Sequence, residues 1–208
     1  MSLNWPLDCA HLADEPANLT TVTEDSNSTT ALTTTTTSPR LELVELATAV
    51  KDADVMRDYV ATCQDPLILE FTHVPEGYTE AMAQEFVNQP GTVRWAILAD
   101  DRYAGNIEVR LIDEGARCVD VGYMTSPQFR GQGIMTRALR MVLNYCFDQG
   151  VHRFEGKAAV HNAASRHVME QAGMRFEGIA RGAEYLHGSY NDLAVYGRLA
   201  TDEEGNEA

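Results

Sequence analysis

Hydrophobic and polar positions fall into regular patterns from Leu41 onward. The run "LELVEL", Leu41 to Leu46, alternates with period two and predicts a first strand. Residues near Lys51 to Cys63 suit a helix. A second helical stretch, "TEAMAQEFVNQ", opens at Thr79, a residue able to cap it, and stops before Pro90 and Gly91. Three strand-like runs follow: "TVRWAILA", "YAGNIEVRLID" and "ARCVDVGYM". The connections between them, "DDR" and "EG", are short and polar, as in an antiparallel meander.

The most regular helical pattern comes next. Ile134, Ala138, Val142 and Cys146 form one apolar row at a spacing of four, with Met135, Leu139, Leu143 and Phe147 beside it. Arg137, Arg140, Asn144 and Asp148 take the other side. A strand near His152 to Val160 leads to a short helix opened by Asn162 and closed by Gly173, both favoured at those positions. Two more strands, around "MRFEGIAR" and "NDLAVYGRL", complete the order. Strand, two helices, a three-stranded meander, helix, strand, helix and two strands predict a mixed α/β sheet in one domain.

The pattern fails at both ends. Residues 1–39 contain no Lys or Arg and include "TTVTEDSNSTTALTTTTTSP", with few large apolar side chains and no amphipathic period. Such a segment gains too little from burial to offset its ordering entropy, so it is expected to be a disordered, Thr-rich acidic arm. Residues 201–208, "TDEEGNEA", read as a solvated acidic tail, which leaves 40–200 as the functional domain.

Composition narrows the function classes. The 208 residues are 44% hydrophobic and 23% charged, and no apolar run reaches the roughly 18 residues of a membrane span. The first residues lack the basic start and apolar stretch of a secretory signal, so a cytoplasmic location is expected. A formal net charge of −15 argues against nucleic-acid binding, which needs a basic face, but would attract a cationic substrate. The four cysteines are widely spaced, with no zinc-finger pattern, and are read as reduced, mostly buried thiols. His73, His152, His161, His167 and His187 lie on different elements, and no metal site is expected.

The chemistry concentrates in "QFRGQGIMTRAL", residues 128–139. A strand, a loop with glycines at 131 and 133, and a helix starting directly afterward can hold an anion. The first-turn amides lack intrahelical partners, the helix dipole adds partial positive charge, and glycine permits close approach. Arg130 could add a charge-assisted contact. The pair of glycines alone is equally compatible with a tight strand-to-helix turn. No Walker lysine follows, and Thr136 stands where a dinucleotide fingerprint needs its third glycine.

The spacing Gln128, x, x, Gly131, x, Gly133 resembles the acyl-CoA pyrophosphate loop of the GNAT superfamily of N-acetyltransferases. Downstream, "GIMTRAL", "NAASRHVMEQAGMRFEG" and "AEYLHGSYNDLAVYGRL" resemble its RimJ/RimL branch, which acetylates N-terminal amines of ribosomal proteins. The resemblance covers about residues 40–200. It implies a mostly antiparallel twisted sheet flanked by helices, with acetyl-CoA as cosubstrate. The pyrophosphate would lie on the loop Arg130, Gly131, Gln132, Gly133, Ile134 and Met135, and the pantetheine arm beside Tyr123, Met124 and Thr125. By the same resemblance Glu184 is the base that deprotonates the amine, Ser165 donates to the leaving sulfur, and Asn162 contacts the cofactor. Asp192 takes a structural or substrate-loop role, and Tyr185, Tyr190 and Tyr196 match the end of the branch's motif. Members of the branch often pair as homodimers.

Each assignment has a plainer counterpart. Asn162 caps a helix well without any ligand, a first-turn serine often satisfies a backbone group, and Glu184 is one acid among many. Three functions remain open: acetylation of a protein N-terminus, acetylation of a small amine such as a polyamine or aminoglycoside, and acyl-CoA binding without catalysis.

Overall fold

The computed structural model describes residues 3, 5–14, 18–23 and 32–202. Its elements in chain order are β1 (Leu12–Asp14), β2 (Asn18–Thr23), β3 (Leu32–Thr37), β4 (Leu41–Glu45), α1 (Leu46–Ala49), α2 (Ala53–Cys63), α3 (Pro66–Phe71) and α4 (Glu80–Val87). There follow β5 (Thr92–Ala99), β6 (Arg102–Asp113), β7 (Cys118–Thr125), α5 (Ile134–Asp148), β8 (Arg153–Ala159), α6 (Ala163–Gln171), β9 (Arg175–Leu186) and β10 (Ser189–Leu199). Eight strands form one sheet in the order β1-β4-β5-β6-β7-β8-β10-β9, and β2 pairs with β3 alone. Every pairing in the large sheet is antiparallel except β7 with β8. This is the mixed, mostly antiparallel sheet that the sequence pattern predicts.

Alternation along the strands divides the core between the two faces. Leu41, Leu43, Trp95 and Ile97 pack with the α5 rows Ile134, Ala138, Val142 and Cys146, and with Met169 of α6. Ala96 and Tyr103 point the other way, against Leu46 of α1, Met56 and Tyr59 of α2, and Ala83 of α4. Side chains two apart on a strand share a face, so one strand serves both layers. The caps follow the sequence reading: Thr79 accepts from the Met82 amide, and Gly173 closes α6 with φ 82°.

Three expectations are corrected. The first strand ends at Glu45, and Leu46 already belongs to α1. Between the first strand and the meander there are four helices rather than two, because α1 and α3 are too short to show a helical period. For α3 a start signal was nevertheless present: Asp65 caps it through the Leu67 and Ile68 amides, with Pro66 in its first turn.

The third correction concerns the arm. Residues 5–14, expected to be disordered, pack on the domain. Leu3 and Leu7 are buried in the α5-side core, and Trp5, Cys9 and Leu12 lean on it. Trp95 Nε1 donates to the Ala10 carbonyl at 2.8 Å, Tyr145 donates to the Asp8 carbonyl, and β1 pairs with β4. Arg137, on the side of α5 away from its apolar rows, pairs with Asp14 and donates to the Pro39 carbonyl. The polar average of the arm conceals the local cluster "LNWPL", whose burial offsets the ordering cost at about 1.5–3 kcal/mol per large side chain. Residues 15–17 and 24–31 of the arm, and 203–208 of the acidic tail, lie outside the described residues.

Candidate active site

β7 and β8 run parallel and in register only from Cys118–Arg153 to Val121–Gly156. Both strands then continue, β7 to Thr125 and β8 to Ala159, without pairing with each other. Each is held on its far side instead, Gly105 of β6 opposite Thr125 and Leu193 of β10 opposite Ala159. The sheet therefore splits beyond Gly122, and the facing backbone groups in the gap have no ladder partner. An extended, amide-bearing arm could satisfy them by pairing as a strand does.

The split opens toward the glycine loop. After β7 comes a single tight turn, Pro127–Phe129, then Arg130–Gly133, then α5. Gly131 and Gly133 both have φ 71°, and a Cβ added at either would meet nothing within 4 Å. Within the protein it is the left-handed backbone, not crowding, that calls for glycine. No side chain caps α5, and its first turn contains no acid. Ile134 and Met135 are buried, so their backbone amides, rather than their side chains, are what the helix end offers to an anion. The Gln132 side chain donates back to the Gln128 carbonyl, which steadies the loop. These features fit the paired phosphates of coenzyme A.

Arg130 is already engaged. Its guanidinium donates to Asp65 Oδ1 at the start of α3. Burial alone would raise the Asp65 carboxyl, but Arg130 and the α3 amides hold it below its ordinary range. This pair ties the glycine loop to the helix before the Thr72–Tyr78 loop, a link with no sequence signal because the partners lie 65 positions apart.

Tyr123, Ser165 and Asn162 come together on the α6 side of the gap. The Tyr123 hydroxyl lies 3.0 Å from both the carbonyl and the Oγ of Ser165. Asn162 Oδ1 accepts from the Ser165 amide at 3.1 Å, which is the plain capping role. Burial pushes the Tyr123 hydroxyl up to about 12, so it stays protonated as a donor through neutral and mildly alkaline pH. Met124, the next residue, points to the opposite face and packs against the α2-side core, and Thr125 ends the strand.

Glu184 stands apart from this group. It pairs with Asn191 of β10, two residues before Leu193, which pairs with the end of β8. Register alone thus carries it beyond β8, at the open end of the split sheet. Its carboxylate is one-fifth exposed, and its Oε1 lies 3.9 Å from His73 Nδ1. Nearby, Leu69, Thr72, His73, Val74, Pro75, Glu76, Leu186 and His187 line a cleft of about 300 Å³. Asp192 accepts from the Gly182 amide and so braces β9 against β10. Tyr196 is fully buried and bonds Glu170 and Arg166, whereas Tyr185 and Tyr190 are exposed and touch ring to ring in a tilted arrangement. His161 rests its ring on Phe71.

The cysteines are free; Cys63, Cys118 and Cys146 are buried, and burial pushes the Cys63 and Cys146 thiols up to about 12. Among the described residues no group of His, Cys, Asp and Glu is placed to hold a metal, and no helix is long and apolar enough to cross a membrane.

Residues 40–175 match the family model described as Acetyltransferase (GNAT) domain, well over half of the chain. The chain belongs to the GNAT acetyltransferase family. Two curated relatives are similar to it over about half of the chain. YdaF of Bacillus subtilis (strain 168), named provisionally as a ribosomal N-acetyltransferase, is 35% identical over 112 residues, 53% of this chain and 61% of its own length. The ribosomal-protein-serine acetyltransferase of Escherichia coli (strain K12) is 30% identical over 104 residues, 50% of this chain and 58% of its own. The chain thus spans about 60% of the length of the curated relatives it matches.

The GNAT fold is also seen in solved structures. RimL, the ribosomal L7/L12 α-N-protein acetyltransferase in complex with coenzyme A, superposes with a TM-score of 0.67 at 24% identity, covering 76% of this chain and 93% of that one. The microcin C7 self-immunity acetyltransferase MccE, in complex with acetyl-CoA and AMP, gives 0.66 at 21% identity, covering 76% and 92%. Glu184 lies past the end of the matched GNAT segment, so its place rests on the β9–β10 register.

Proposed function

We propose that this GNAT domain transfers the acetyl group of acetyl-CoA to a primary amine, and that the acceptor is the N-terminal α-amino group of a protein, a ribosomal protein foremost. The split between β7 and β8, running directly into the uncapped α5 terminus, is the observation that carries the reading. Acetyl-CoA, when bound, supplies an activated thioester. The chain's own groups do the rest. The loop from Arg130 to Met135 holds the pyrophosphate, and the β7 backbone at Tyr123, Met124 and Thr125, paired with β6 but not with β8, aligns the arm, with an N–H near Met124 available to a developing oxyanion. Glu184 takes the proton from the incoming ammonium. Ser165, backed by Tyr123, hydrogen-bonds to the departing sulfur.

The lining of the cleft favours a chain end over a polyamine. Half of its lining is apolar, Leu69, Val74, Pro75 and Leu186, and Glu76 is the one carboxylate among the lining residues. A polyamine would call for several acidic groups in succession. The likeness to MccE keeps small amines as the second reading. Coenzyme A release measured with a serine-initiated peptide, spermidine and an aminoglycoside decides between them. Turnover of the peptide at least about tenfold better in kcat/KM is expected. Preference for either small amine would overturn the acceptor assignment, and thermal stabilisation by acetyl-CoA without any release would overturn catalysis. The reading places the protein in the cytoplasm, and the homodimer implied by its branch is checked by sedimentation.

Two substitutions test the residues directly. Gly133→Val puts a β-branched residue at φ 71°, a strain of about 1–2 kcal/mol that the loop relieves by moving its amides. Calorimetry should show coenzyme A bound about tenfold more weakly, since each 1.4 kcal/mol is tenfold. Tyr123→Phe removes the hydroxyl that orients Ser165. It should lower kcat about tenfold with little change in the KM for acetyl-CoA, as measured by initial rates.

A further inference from the structure

His73 lies on the loop after α3, 111 positions from Glu184, yet both of its ring nitrogens are turned to the strand that carries Glu184. Nε2 is 3.3 Å from the Tyr185 carbonyl, and Nδ1 is 3.9 Å from Glu184 Oε1. A carbonyl oxygen only accepts, so Nε2 carries the hydrogen of that bond. In the neutral ring the lone pair therefore sits on Nδ1, facing the carboxylate. The gap of 3.9 Å is one that a bridging water or a small ring rotation spans. The His73 side chain is 68% exposed, against 20% for Glu184.

From this arrangement we propose that His73 relays protons between Glu184 and solvent, and that it is a positioning and relay residue for the acetyl transfer proposed above. The idea rests on Glu184 being the base. Each turnover leaves one proton on that base, and the carboxylate must lose it before the next amine binds. An N–H bond of the ammonium breaks as a Glu184 O–H bond forms. That O–H bond breaks as Nδ1–H forms, and the imidazolium then gives the Nδ1 proton to water. One proton enters and one leaves, and both residues return to their starting forms. Imidazole is the side chain suited to such exchange near neutral pH. The other titratable groups facing His73 are Glu76 on its own loop and His187 on the β9–β10 turn. His187 is fixed by a 2.6 Å contact to the Leu69 carbonyl, which leaves His73 as the imidazole beside Glu184.

The test compares His73→Gln, His73→Ala and Glu184→Gln, with acetyl-CoA and either the serine-initiated peptide or spermidine as acceptor. His73→Gln should lower kcat about tenfold and alter its pH profile, with the KM for acetyl-CoA unchanged. Added imidazole should restore His73→Ala, and nitrogen chemical shifts should report the Nε2–H tautomer in the unsubstituted protein. A wild-type kcat and pH profile in His73→Gln, while Glu184→Gln is impaired, overturns the relay alone. Loss in His73→Ala that imidazole does not restore, or the opposite tautomer, reduces His73 to a loop contact and also overturns it. Full activity in Glu184→Gln removes the base itself, and the relay falls with that reading.

Discussion

Glu184→Gln is expected to lower kcat by about two to three orders of magnitude, the usual loss when a positioned base is removed. That corresponds to about 3–4 kcal/mol of transition-state stabilisation. Glutamine keeps the size and a hydrogen-bonding tip but cannot accept the ammonium proton. The fold should be indifferent, because the carboxylate is partly exposed and, among the described residues, His73 is its one ionic partner. Coenzyme A affinity should stay within about twofold, because the glycine loop and α5 terminus lie on other elements. Initial rates and calorimetry on the same preparation check both halves. A loss of kcat below about threefold would assign the base to another group.

Gly105→Ala should produce the largest loss of stability, about 2–4 kcal/mol by urea denaturation. A Cβ there would stand 2.3 Å from the Met124 carbonyl oxygen, and φ is 153°, where side chains are rarely tolerated. The obstacle is backbone, so no rotamer change relieves it. Either β6 or β7 must move, and Gly105 pairs with Thr125 at the end of the strand that borders the split. Weakened coenzyme A binding should therefore accompany the lower midpoint. An unchanged midpoint would mean that the two strands separate at this point without cost.

Periodicity made most of the fold legible. The meander, α5 with its two apolar rows, and the order of the later elements could all be read because a strand repeats every two residues and a helix every 3.6. Elements shorter than about two turns offered no such signal, which is why α1 and α3 were missed. The arm failed for a different reason: a composition averaged over 39 residues hid Leu3, Trp5 and Leu7, and only the α5-side core gave them something to bury against. At the candidate site the loop glycines were legible as a local motif. The reason for them was not, since φ 71° is a property of the folded loop.

What the sequence by itself determined is local: the alternating strands, the amphipathic α5, the caps Thr79, Asn162 and Gly173, and a glycine pair before a helix. These depend on neighbours a few residues apart, and backbone geometry enforces them wherever the chain goes. The tertiary structure alone decided the split between β7 and β8, the Arg130–Asp65 tie, the Tyr123–Ser165 pair and the approach of His73 to Glu184. Each joins residues tens to more than a hundred positions apart. Such contacts carry no period, and they form only when the sheet order brings distant strands and loops side by side.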